Sequence, residues 1–461
     1  MDKTHIDITK GLNIPIDGKP EQSITATKDV EFNALLGSDY HGLKPKLVVQ
    51  EGDKVDKGSP LLVSKADESV VYTTPVSGKV AAINRGARRA LVSVVIAADG
   101  KNSQVSFNSS KKSVDKITPA EVVAGLQKSG LWTALRTRPF SKVPHSSVKA
   151  DAIFINAMAN DSYAANPEIF FKEGAESFMQ SFILGARYLA KIAGKQVFIC
   201  CHPDSQLLQA NYSEKNLSVA SFSGKYPASL SGTHMHFLYP AGRNANNFWI
   251  NYQDVTAIGK FFSEGEIMHQ RLFGLGGPSV AKPQLLLSSL GANIRELTQG
   301  ELKGDNNRLI SGGIMNGRAC TDETDSFCGR YHLQLAALDQ GNQREFMGWL
   351  SWGLNKFSNQ AIYLSSINPS KLFNLNTSTN GSERAMLPMS TYEKVMPMNL
   401  LPTQLLRSLL VGDIEMAEKL GCLELDEEDL SLCSFVCSGK YEYGEALRHN
   451  LERIEKENWD I

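Results

Sequence analysis

The chain has 461 residues, 42% of them hydrophobic and 21% charged, which is ordinary globular usage and excludes a disordered or fibrous polymer. At roughly 150 residues per domain it has room for about three or four domains. The 48 Lys and Arg residues nearly balance the 49 Asp and Glu residues, so no net field favours phosphate backbones, and nucleic acid is not expected as a partner.

No run reaches the roughly 18–20 uncharged apolar residues that would span a bilayer. The opening MDKTHIDITKG lacks the apolar core of a signal peptide, and seven cysteines, an odd number, suggest reduced thiols rather than a disulfide framework. A cytoplasmic address is expected from both features.

Residues 44 to 98 read as short strands separated by Gly turns. Val92, Val94 and Ile96 alternate, and Glu51-Gly52-Asp53 and Lys57-Gly58 supply turn chemistry, which predicts a small all-β unit. A Ser- and Lys-rich linker follows from Gly100 to Ser113. Thr118-Pro119-Ala120-Glu121 is a capping box with Pro at the first helical position, predicting a helix that runs to about Gly130. Apolar strands then alternate with helical patterns: strand 152–156, helix 170–192 closed by Gly194, strand 196–201, and further β-like runs at 217–222 and 234–238. That alternation predicts a parallel, Rossmann-like α/β layer.

Short strands and one helix return between 247 and 316, with turns at Gly274 to Gly277 and Gly312-Gly313 that suit a small α+β module. Residues 331–384 give a mixed signal, with Trp349 and Trp352 inside 346–357. The end reads as four short helices, 400–411, 414–420, 427–436 and 443–457, which suggests a bundle. The expected divisions are 1–100, 114–246, 247–330, 331–384 and 385–461.

ALLGSDYHGLKP, VQEGDKVDKG, TPVSGKVAAINRGARRALVSVVI, SLSGTHMHFLYP, RLISGGIMNG and LGCLELDEEDLSLCSFVCSGKYEYG carry a resemblance to a known family. With them the chain resembles the NqrA family, which belongs to the sodium-translocating NADH:quinone oxidoreductases, and more distantly the related soluble subunit of the Rnf complex and the flavin-binding subunit of respiratory complex I. The resemblance spans most of the chain. It implies a lipoyl/biotinyl-like β module at the start and a small SLBB-like module after the α/β layer. It also implies membership of a respiratory oxidoreductase and translocase that oxidises NADH, reduces a ubiquinone-type quinone and drives sodium transport. The chain would lie peripherally on the cytoplasmic side of the bacterial inner membrane, with the complex's other subunits, a membrane-embedded one above all, as partners.

In the flavin-binding relatives a Gly-rich loop approaches the flavin phosphate, because any Cβ would block the approach. Here the corresponding stretch, Ser129 to Phe140, keeps one Gly and carries Leu131, Trp132, Pro139 and Phe140. The next loop, Asn156 to Asp161, has Asp161 as its sole acid. Tightly bound FMN is therefore expected to be absent. Leu131, Trp132 and Phe140 offer ring and alkyl contacts, and Arg136 and Arg138 offer donors to a quinone carbonyl, a mixture suited to a mostly apolar site. The blander reading is that Leu131 and Trp132 close a core and the arginines are solvated. A scaffold subunit without quinone and an Rnf-like FMN carrier are the alternative functions.

Cys433 and Cys437, with Cys422 earlier, fall short of the runs that hold iron–sulfur clusters, so no cluster is expected. Lys65 lies near the place where lipoyl domains carry their modified lysine and is expected to be unmodified. His234 and His236, read as sharing one strand face, have no third ligand at metal-binding spacing, and His202 follows Cys200-Cys201, so no metal is expected. Neither Gly276-Gly277 nor Gly312-Gly313 continues as a nucleotide motif. Met386 to Leu410, with Met389, Met396 and Met398, is either helix core or a surface facing a membrane-embedded partner.

Overall fold

The computed structural model describes residues 4–107, 111–173, 178–343, 346–387 and 390–458. The β-branched blocks expected between residues 44 and 98 form two small sheets. One orders its strands Phe32–Leu36, Leu91–Ala98, Gly78–Arg85, Lys54–Val55; the other Pro45–Leu47, Pro60–Ser64, Val71–Thr73. Val94 and Ile96 are fully buried, because the longest strand here is covered on one face by its own module. Lys65 is exposed in the connection between the strands Pro60–Ser64 and Val71–Thr73.

The capping box forms as the sequence predicts: Thr118 accepts from the Glu121 amide, and the helix Pro119–Ser129 ends at Gly130 in a left-handed conformation. Behind it lies a six-stranded sheet in the order Thr4–Ile8, Leu217–Gly224, Gln196–Cys201, Ala152–Ala157, Asn247–Asn251, Arg136–Arg138. Every pairing is parallel except the last. The predicted helix over 170–192 is found as Pro167–Glu173 and Phe178–Ile192. Phe178–Ile192 packs on Tyr252–Glu264, and the crossing requires Gly259, where a Cβ would sit 1.7 Å from the Ser181 carbonyl oxygen.

One predicted strand is wrong. Residues 234–238 lie in the helix Ser231–Leu238, so His234 and His236 do not share a strand face. Five residues of mixed type cannot separate period 2 from period 3.6, and the His234 ring is buried inside the fold, its Nε2 2.9 Å from the Ala228 carbonyl.

The second six-stranded sheet orders Arg318–Ala319, Asn307–Ser311, Gln334–Asp339, Gln270–Gly276, Gln284–Ser289, Ile24–Thr27. The first residues of the chain thus reach away from the β module: Thr4–Ile8 edges the parallel sheet and Ile24–Thr27 edges this one. Gly276 closes a strand and Gly312 begins a turn.

The last segment contains the helices Pro402–Val411, Ile414–Lys419, Ser431–Val436 and Tyr443–Asn458. The predicted helix over 427–436 is interrupted: Glu427–Leu430 is a 3-10 turn in which Asp426 and Asp429 cap one another. Met396 and Met398 are buried against Leu405, Leu447 and Leu451, so they form core and do not face a partner. Met389 lies outside the described residues. This second core also takes in Phe140 and Tyr226, which fastens the C-terminal helices to the parallel layer.

Candidate functional site

The five residues singled out between 131 and 140 occur where the helix Pro119–Ser129 turns into the edge strand Arg136–Arg138. Gly130 makes that turn possible. Its φ is +79°, and a Cβ would lie 2.3 Å from the Thr73 Oγ1, so only glycine reverses the chain here without moving the β module. Leu131 and Trp132 follow in a 3-10 turn and are buried. The Trp132 Nε1–H donates to the Pro144 carbonyl at 2.7 Å, which fixes the indole inside the fold.

Arg138 is fully buried, with no exposed side-chain surface. Its Nη1 donates to Asp426 Oδ2 at 2.7 Å, and its Nη2 lies 3.5 Å from both Glu428 and Asp429. Arg448 donates to Asp426 Oδ1 at 2.7 Å and to the Phe140 carbonyl at 2.8 Å, and Ser141 also reaches Asp426. Three guanidinium groups, of Arg136, Arg138 and Arg448, thereby meet the four consecutive carboxylates Asp426 to Asp429.

Four acids against three fixed cations leave one charge in excess, and the carboxyls divide accordingly. Burial works against the Asp426 anion, yet Arg138, Arg136 and Arg448 hold it well below the usual carboxylate range. Burial and the Asp426 charge push Glu427 up to about 7, and burial pushes Asp429 up to about 8 against the pull of Arg138. A like charge beside a buried acid keeps one proton bound.

Arg136 sits at the rim of this seam. Its Nη2 is 3.3 Å from Asp426 Oδ2, and its guanidinium carbon stands 4.7 Å from the Tyr331 ring centroid and 5.4 Å from that of Trp249. The two rings are 6.4 Å apart. Both Arg136 Nε and Trp249 Nε1 are buried and have no hydrogen-bond partner among the described residues. The Tyr331 hydroxyl donates to the Thr133 carbonyl at 2.8 Å. A flat cation thus lies over two rings with two buried N–H groups beside it that make no hydrogen bond among the described residues.

The sequence candidates therefore separate. Arg136 lies in the aromatic box; Arg138 is spent in the ion-pair seam; Phe140 belongs to the C-terminal core; Trp132 packs inward. Leu131 instead lines a small cavity of about 50 Å³ with Tyr40, Thr133, Arg271 and Arg330, far below the roughly 300–1,000 Å³ of ligand pockets. Sequence reasoning missed Trp249, Tyr331, Arg448 and the carboxylates 426–429. The run Asp-Glu-Glu-Asp was legible only as a helix start, although four adjacent acids in an apolar context signal that cations must come from elsewhere.

The loop after the strand Ala152–Ala157 is tied down. Asn156 donates to the Ser229 carbonyl at 2.8 Å, Asn160 to the Gly224 carbonyl at 2.9 Å, and Asp161 accepts from Gln334 at 3.0 Å. His236 pairs with Glu424 at 2.8 Å and accepts from the Asn399 amide. Cys422, Cys433 and Cys437 are buried thiols, Cys437 bonded by the Tyr392 and Tyr443 hydroxyls at 3.2 and 3.3 Å. Among the described residues no three His, Cys, Asp or Glu side chains are grouped to hold a metal ion, and no helix is long and apolar enough to cross a membrane.

A barrel-like β module, a mostly parallel α/β layer and a small mixed sheet, sealed to C-terminal helices by a buried ionic seam, define a multidomain α/β protein. Three domain models match it in order: the NqrA N-terminal barrel-sandwich hybrid domain at residues 6–99, the NqrA second alpha/beta domain at 117–267 and the NQRA C-terminal domain at 274–322. The NqrA protein of the Na(+)-translocating NADH-quinone reductase from Hahella chejuensis is 48% identical over 455 residues, covering 98% of this chain and 100% of that one. The corresponding proteins from Neisseria meningitidis serogroup B and Haemophilus influenzae are each 46% identical over 453 residues, at the same coverage. The chain belongs to the NqrA family of Na(+)-translocating NADH-quinone reductase subunits.

Proposed function

We propose that the chain is a component of a Na(+)-translocating NADH-quinone reductase that supplies part of the protein environment of the quinone and holds no tight redox cofactor of its own. Its relatives carry the complex's name over their whole length. The observation that carries the quinone reading is the pair of unspent donors, Arg136 Nε and Trp249 Nε1, beside the Tyr331 ring. A quinone carbonyl accepts from such donors and its ring lies against Trp249 and Tyr331; both donor atoms are buried, so the contact requires a local opening of this rim.

The residues do not fit FMN. In a Rossmann-like layer a nucleotide phosphate sits over the carboxyl ends of the strands at a Gly-lined turn. The hydrogen bonds of Asn156, Asn160 and Asp161 occupy the turn after the strand Ala152–Ala157, and buried Leu131 and Trp132 fill the helix-to-strand turn that the resemblance matches to the flavin relatives' Gly-rich loop.

A scaffold role without quinone is the second reading, favoured by Arg138, both of whose Nη groups meet carboxylates that join two domains. A quinone photoprobe separates the two. Labelled peptides carrying Trp249 or Tyr331 support a quinone contact, and labelling nowhere on the chain supports the scaffold.

A further inference from the structure

Lys57 departs from the rule that a buried lysine is paired. It is 4% exposed, yet its Nζ makes no hydrogen bond and no ion pair among the described residues. The backbone holds it in place. The Lys57 amide donates to the Ser103 carbonyl at 2.9 Å, and the Val105 amide donates to the Lys57 carbonyl at 3.0 Å, so the chain leaving the β module runs alongside it. Gln104 ties that stretch to the end of the helix Tyr252–Glu264, donating to the Gly265 carbonyl at 2.8 Å and accepting from the Ile267 amide at 3.1 Å. Between these three segments lies a cavity of about 660 Å³, open to solvent, which Lys57 lines with Asn102, Ser106, Lys111, Glu264, Glu266 and His269. Its volume falls within the roughly 300–1,000 Å³ of ligand pockets, and it shares no lining residue with the rim of Arg136, Trp249 and Tyr331.

The two acids of the lining already have a cation: Lys260 lies 3.1 Å from Glu266 and 3.9 Å from Glu264. His269 is neutral, pulled down to about 4 by burial and by the Lys57 and Arg271 charges. Burial also pulls the Lys57 ammonium below the ordinary lysine range, against the opposing field of Glu266. An ammonium has left water here without a counter-ion in contact, and an anion in the cavity supplies one. Lys57, Lys111 and Lys260 against Glu264 and Glu266 leave one positive charge in excess, which a monoanion neutralises and a dianion overshoots. Among the described residues the lining offers no guanidinium and no helix N-terminus, the groups that grip phosphate. A compact ammonium beside the amide of Asn102 and the hydroxyl of Ser106 instead suits a carboxylate that carries hydroxyl groups. We propose that this cavity binds a small hydroxylated monocarboxylate, with its carboxylate on the Lys57 ammonium.

Melting of the purified full-length chain in acetate, gluconate or inorganic phosphate, each against chloride at equal ionic strength, tests the assignment. Acetate carries the carboxylate alone, and gluconate adds a hydroxylated tail. Both are expected to raise the melting temperature with the logarithm of their concentration, gluconate the more strongly. Calorimetric affinity for gluconate should fall at least about tenfold in Lys57→Met, as loss of a hydrogen bond to a charged group entails. In chloride Lys57→Met should melt no lower than the wild type, since it removes an unpaired buried charge and keeps the packing of the stem. A second measurement needs no variant: with the site largely occupied, gluconate should slow acetylation of Lys57 by about fivefold or more relative to exposed Lys65, read by peptide mass spectrometry. No shift with either carboxylate, a shift with phosphate alone, or gluconate affinity indifferent to Lys57→Met overturns the assignment. So does a Lys57→Met chain that melts well below the wild type in chloride while gluconate leaves Lys57 acetylation unchanged, which would make Lys57 a structural cation.

Discussion

Arg138 and Asp426 stand 288 residues apart in the chain and 2.7 Å apart in space. Their contact joins the edge strand of the parallel sheet to the C-terminal helices, and both side chains are buried. A buried pair of this kind is a weak source of net stability when intact, but removal of one partner strands a charge in a low-dielectric site.

Arg138→Leu removes a buried cation from among four carboxyls, of which Asp426 keeps Arg136 and Arg448 while Asp429 is left with no cation. It is expected to destabilise the chain by about 3–5 kcal/mol, and Arg138→Lys, which keeps the charge, by clearly less. Thermal unfolding of the two variants measures the difference. Equal losses in both would show that the guanidinium's packing and fork geometry, and not the buried positive charge, set the cost.

Asp429 gives a pH prediction with a definite sign. Its carboxyl, pushed up to about 8 chiefly by burial, keeps its proton in the folded chain, whereas the unfolded chain releases it near the ordinary value of about 4. The folded state then binds more protons between those values, so this group's contribution to stability falls as pH rises from about 4 through about 8. Asp429→Asn mimics the protonated acid. Its melting temperature relative to wild type is expected to rise between pH 6 and pH 9, and a difference that stays constant would contradict a bound proton.

Met398 is buried among the leucines of the C-terminal helices. Met398→Ala should cost about 2–5 kcal/mol by loss of transfer energy and creation of a cavity. Denaturation of the isolated chain measures this. A variant that melts like wild type yet fails to join the complex would return Met398 to the role of a docking residue.

The legible parts of the fold were those set by local chemistry. Thr118, Pro119 and Glu121 announce their helix within four residues, and the strands Ala152–Ala157 and Gln196–Cys201 carry unbroken apolar runs. The helix Ser231–Leu238 reads as a strand because its pattern is short and its histidines are held by groups outside the helix, His236 by Glu424 and His234 by the Ala228 carbonyl. The seam was hidden for a different reason. Nothing within ten residues of Arg138 supplies its carboxylate partners, and Asp426 lies in another domain, so sequence could name the cation but not its destination. For the same reason the sequence offers Arg138 to a ligand, whereas both of its Nη groups meet Asp426, Glu428 and Asp429. Arg136 kept its place only because Trp249 and Tyr331, both distant in sequence, converge on it.

Equilibrium binding of a short-chain ubiquinone to the purified chain, with the optical spectrum and iron content of the same sample, tests the central claim most directly. The expected result is a colourless, iron-free protein that binds the quinone, with affinity reduced about five- to tenfold in Trp249→Phe, which keeps the ring and removes one N–H donor. A yellow protein carrying stoichiometric FMN, or quinone affinity indifferent to Trp249→Phe, would contradict it.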